Sequence, residues 1–137
     1  MSMFRVFDTI GSAMSAQTLR LNTTASNMAN VDSVSSSIDQ TYRARHPVFA
    51  AVFDQSRLDD ATVGVEVKGI VESQAPLRQV YNPDHPMADD NGNIFMPNVN
   101  VVEEMANMMS ASRSYQSSIE VANVAKQLAM RVLTMGQ

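Results

Sequence analysis

The sequence predicts a mainly α chain: long N- and C-terminal helices that pack in a coiled-coil-like manner, separated by a small β-rich centre. Three observations carry this. All five prolines lie in the middle of the 137-residue chain, and neither end holds one. Charge is segregated in the same way, because 32–104 holds 12 acids and 5 bases while 1–31 has only Arg5, Asp8 and Arg20. Apolar residues recur at helical spacing at both ends and alternate only in the middle. The division predicted is an N-terminal helical arm over 1–31, a β-rich centre over 32–98 and a C-terminal helical arm over 99–137.

In the first arm Phe4, Phe7, Gly11, Met14, Thr18, Leu21, Ala25 and Met28 follow a 3,4-spaced seam. Its stronger half, Phe7, Met14, Leu21 and Met28, repeats every seven residues, the mark of a helix lying along a partner helix. From Thr9 to Val31 only Arg20 is charged. The opposite face therefore lacks the charges of a solvated surface, and protein neighbours on several sides are expected; one amphipathic helix on an ordinary core fits the periodicity equally well.

The centre reads as short strands and turns. Val63, Val65 and Val67 alternate with Gly64, Glu66 and Lys68, the pattern of a half-buried strand, and Ile70 and Val71 extend it. Tyr42 to Phe53 and Leu77 to Tyr81 are weaker strand candidates. Asn82 to Gly92 is loop by its Pro, Asp, Asn and Gly content.

The last arm opens at a cap. Pro97 stops what precedes it, and Asn100 with Glu103 has capping-box spacing, so that Glu103 and Glu104 fall in the first turn, where their charge complements the helix dipole. One seam then runs through Met105, Met108, Ser112, Tyr115, Ile119 and Ala122, and a second through Val121, Ala125, Leu128, Val132 and Met135. Two seams predict two packing faces.

Chemistry has little to work with. The absence of Cys excludes a disulfide scaffold, a thiolate zinc site and a cysteine nucleophile. A formal charge of −4 argues against nucleic-acid binding, which requires clustered cations. No apolar run is long enough for a membrane span, and Met1 to Ala13 lacks the features of a cleavable signal peptide. No phosphate-cradling glycine loop or nucleophile elbow is present. His85 with Asp84, Asp89 and Asp90 reads as a solvated acidic loop rather than a metal site, and adjacent Glu103 and Glu104 point about 100° apart, poorly placed for paired catalysis. Neither an enzyme nor a cofactor is expected.

The stretch Ala25-Ser26-Asn27-Met28-Ala29-Asn30-Val31-Asp32-Ser33 resembles the signature of bacterial flagellar axial proteins, the rod and hook subunits, in which Asn-Leu-Ala-Asn closes the first helix. Met96 to Asn107, continuing through Gln116, resembles the proximal-rod members more specifically. Arg20-Leu21-Asn22, Tyr42-Arg43-Ala44, Glu72 to Pro76 and Leu133 to Gln137 also fit. Met28 departs from the usual Leu, Ser33 to Ser37 from a Gly and Pro turn, and Asn93 from a common aromatic.

The resemblance implies a structural subunit of the periplasmic rod, exported without cleavage by the flagellar type III apparatus. Its partners would be other rod proteins and further copies of itself, with no nucleic acid and no membrane insertion. Asn27, Ala29 and Asn30 would carry the family motif. The expected subunit-packing residues are Phe7, Met14, Leu21, Met28, Met105, Met108, Tyr115, Ile119, Val121, Leu128 and Val132. Another rod or hook subunit is the alternative, then a soluble helical adaptor; the shortness of the centre favours the proximal rod.

Overall fold

The computed structural model describes residues 3–52 and 63–136. Two helices flank four short strands. Helix α1 spans Met3–Ala29, strands β1 to β4 span Arg45–Val52, Gly64–Glu72, Arg78–Tyr81 and Asn93–Met96, and helix α2 spans Val101–Met135. The expected mainly α chain with a β-rich centre is what the structure shows.

Helix α1 keeps its polar residues by satisfying them from its own backbone. The hydroxyls of Ser12, Thr18 and Thr23 donate to the carbonyls of Thr9, Met14 and Leu19 at 2.8, 2.9 and 2.8 Å. That bonding lets buried Thr23 face inward without an orphaned donor. The helix closes inside the family motif: Asn30 N–H donates to Ser26 O, and Asn30 Nδ2 donates to the same carbonyl at 2.8 Å.

Helix α2 begins at the expected cap. Asn100 Oδ1 accepts from Val102 N and Glu103 N at 3.1 and 3.4 Å. Its first turn carries Glu103 and Glu104, and α1 is the element it packs against extensively.

Strands β1 and β2 pair antiparallel from Arg45↔Glu72 to Val52↔Gly64, with a bulge beside Val48 and Phe49. This hairpin lies along α1. Ser12 Oγ accepts from Val65 N at 3.1 Å near one end, and Asn27 binds Arg45 at the other. The two anchors are close in length: Ser12 to Asn27 covers about 22 Å of helix, and the rise from Arg45 to Ala51, which pairs with Val65, is about 20 Å.

Strands β3 and β4 form a second antiparallel pair, Arg78↔Met96 to Tyr81↔Asn93. The far edge of β4 takes Ser35, which exchanges two backbone hydrogen bonds of 3.0 Å with Phe95. Thus Ser33 to Ser37, a stretch with neither Gly nor Pro, is fixed by a bridge to the edge of β4. In the β3–β4 loop Asp89 Oδ1 accepts from Asn91 N and Asn93 N at 2.9 and 2.8 Å. Gly92 has φ +76°, and a Cβ there would stand 2.9 Å from the Tyr81 ring; only glycine fits this turn without strain. Among the described residues no helix is long and apolar enough to cross a membrane.

Candidate functional site: an assembly surface and its junction

The two helices run antiparallel. Arg20 Nη2 donates to Asn107 Oδ1 at 2.9 Å, and the end of α1 and the lead into α2 meet at the start of β1. Counting outward from Arg20 and Asn107, Met3 lies opposite roughly residue 124, so that about the last ten residues of α2 run past α1.

The row buried on α2 is Glu104, Ala111 and Ala125, with half-buried Met108, Tyr115, Ser118 and Ala122 between them at 3,4 spacing. On α1 the buried residues are Ala16, Thr23, Thr24 and Asn27. Ala111, Ser118, Ala122 and Ala125 keep much of the α2 row small.

The sequence-predicted packing residues fall partly inside these buried rows and partly outside them. Phe7, Met14, Leu21 and Met28 lie roughly 120–180° round α1 from Ala16 at about 100° per residue. Met14, Leu21 and Met28 are half-buried there, and Phe7 is exposed. On α2, Met108 and Tyr115 belong to the row turned to α1, whereas Met105 and Ile119 are exposed on one flank of it and Val121, Leu128 and Val132 on the other. The exposed side chains include Leu128 at 52%, Leu133 at 72% and Met135 at 81%. The overhanging end of α2 thus presents apolar residues around most of its circumference.

What orients this surface is a junction of two asparagines. Asn27, wholly buried, accepts at Oδ1 from Tyr42 Oη and Arg45 N at 2.8 and 2.9 Å, and donates from Nδ2 to Arg45 O at 2.8 Å. Its amide matches the peptide of Arg45 as a neighbouring strand would. Asn98 instead ties residue 44 to the chain after β2: Oδ1 accepts from Ala44 N at 2.8 Å, and Nδ2 donates to Ala75 O at 2.8 Å and to Ser73 O at 3.3 Å. Adjacent residues 44 and 45 are held from the end of α1 and from the segment leading into α2, and Arg43 Nη1 adds donations to Ser73 O and Ala75 O. Ala29 stays exposed at the helix end.

The sequence motif singled out Asn27 and Asn30 but not Asn98, Tyr42 or Asn107. Their partners lie 15 or more residues away, so no local spacing marks them. Among the described residues no group of His, Asp and Glu is placed to hold a metal ion.

Comparisons with known proteins agree with this anatomy. Residues 7–35 match the family model described as flagella basal body rod protein, and 91–135 match that of the flagellar basal body rod FlgEFG protein C-terminal region. The chain is 50% identical to the flagellar basal-body rod protein FlgC of Salmonella typhimurium strain LT2, 49% to that of Escherichia coli O6:H1 and 48% to that of Yersinia enterocolitica. Each alignment covers all of both chains.

Proposed function

The chain belongs to the flagellar basal-body rod protein family and is a structural subunit of that rod, and from this premise we propose that it occupies the proximal rod and transmits torque through side-by-side helix packing. The family is structural rather than enzymatic, its place is the flagellar basal body, and its members assemble with other rod components.

The observation that carries the finer reading is the unpartnered apolar surface of α2. Val121, Leu128 and Val132 are each about half exposed or more in the single chain, and the end of α2 runs beyond α1. Large aliphatic side chains gain up to about 1.5–3 kcal/mol each on full burial, so neighbouring subunits that cover them gain a rigid, dry contact. In this reading 1–31 and 99–137 act as arms carrying the contacts, Phe7, Met14, Leu21, Met28, Met105 and Ile119 face further subunits, and 32–98 is the centre they carry. The neighbours are other rod proteins and copies of this chain, met in the periplasm after export through the flagellar type III apparatus without a cleaved signal peptide.

The test is Leu128→Asp in a strain lacking the chromosomal copy. Leu128 lies away from the row turned to α1, so the variant is expected to fold and be exported, yet to be missing from purified basal bodies and to leave cells non-motile. Wild-type swimming by this variant overturns the packing assignment.

A further inference from the structure

A cleft of about 300 Å³ opens where α1, β1 and α2 meet, lined by Arg20, Thr24, Arg45, His46, Phe49 and Asn107 among others. Arg20 is half-buried and is the sole charge between Thr9 and Val31. Its side-chain hydrogen bond goes to a neutral acceptor, Asn107 Oδ1. Among the described residues no carboxylate forms an ion pair with it. A guanidinium has five N–H donors, and a partly buried cation without a counterion is unfavourable. Arg45, on the same wall, pairs with Glu72 at 3.3 Å and lies 5.3 Å from the Tyr42 ring centre. With Arg45 already paired, Arg20 is the guanidinium of this cleft that has donors to spare for a carboxylate, which Arg binds through two parallel hydrogen bonds.

The complementary surface lies elsewhere on the same chain. Between Arg78 and Asn100 there are three acids, Asp84, Asp89 and Asp90, and neither Lys nor Arg. Asp84 and Asp90 in the β3–β4 loop are exposed and, among the described residues, in no ion pair, whereas Asp89 is engaged by its own turn. The two surfaces do not meet within one chain, since β3 and β4 make no extensive contact with α1, β1 or α2.

We propose that the Arg20 cleft is a carboxylate-docking site for the Asp84–Asp90 loop of a second copy of this chain. Donor and acceptor surfaces differ, so the contact is head-to-tail and repeats from copy to copy. The proposal rests on the rod-subunit reading and adds the pair of surfaces through which like subunits meet.

Charge exchange tests it in cells whose only copy is the full-length variant, read as the amount of chain in purified basal bodies. Arg20→Glu alone, and Asp84→Arg with Asp90→Arg, should each lower incorporation at least about tenfold, as like charges then face each other. All three changes together should restore most of it. Arg20→Lys, which keeps the charge, should incorporate far better than Arg20→Gln, which offers Asn107 an amide donor but no charge. Normal incorporation of Arg20→Gln overturns the proposal, as does failure of the triple variant to exceed the single exchanges, or normal incorporation of the loop variant alone. In each of these cases the unaltered chain still enters the rod; only its absence from basal bodies would also remove the rod-subunit reading.

Discussion

Asn27 shows how a single amide specifies a junction. Its side chain offers one donor and one acceptor at the separation that a peptide group requires, and the pair meets the N–H and C=O of Arg45. Replacement by Ala leaves both of those backbone groups without this partner and should cost about 1–3 kcal/mol. Asp should be at least as harmful, because its carboxylate can still accept from Arg45 N–H but sets a second acceptor against the Arg45 carbonyl. Urea denaturation of the full chain, followed by tyrosine fluorescence in a protein without Trp, reads the difference, and Tyr42 lies in the junction itself. Equal stability of Asn27→Asp and the unaltered chain would contradict the donor role given to Nδ2.

At the scale of elements, the packing of α1 on α2 depends on what is missing from the side chains. Ala111 is fully buried, and Ser118, Ala122 and Ala125 continue its row. Ala111→Leu inserts three carbons at a fully buried position, and overpacking of this kind costs about 1–3 kcal/mol. Crosslinking or loss of incorporation into basal bodies should reveal the splayed helices, whereas Ala106→Leu, at an exposed position, should behave as the unaltered chain. The same feature explains what was legible in the sequence. The extent of α1, the cap at Asn100 and the valine alternation in β2 follow from strong local signals and appear in the structure as expected. Ala16, Ala111 and Ser118 were not marked because Ala and Ser carry no periodic hydrophobic signal, whereas Met108, Tyr115, Ala122 and Ala125 of the α2 row lay on the predicted seams. Strand β4 was missed for a different reason: four residues directly after an Asn-Gly turn are too few to show alternation, and their register comes from Ser35 and Arg78 to Tyr81, both remote in sequence.

For the whole molecule, stability should be uneven along α2. Its first six turns lie beside α1, and its overhanging end has no neighbour within the chain, so the entropy of ordering, about 1–2 kcal/mol per residue, is not offset there by burial. Hydrogen exchange on the soluble full chain should therefore find rapid exchange from Lys126 to Met135 and slower exchange around Asn27, Ala44 and Arg45. In assembled rods the overhang should become protected. Equal, strong protection of the overhang in both states would show that it is stable without partners.

The two anchors of the β1–β2 hairpin, at Ser12 and Asn27, also govern where this chain can change its length. Helix and strand advance at different rates per residue, so the match between them holds for one spacing only. Adding two residues inside Arg45–Val52 shifts Val65 off Ser12 or Arg45 off Asn27 by about 6–7 Å, too far for either hydrogen bond. An equal addition between 53 and 62 leaves both bonds intact. Insertions of two residues at each place, compared for swimming, should divide accordingly: the subunit tolerates growth outside the paired strands and not between the two anchors that fix the hairpin to its helix.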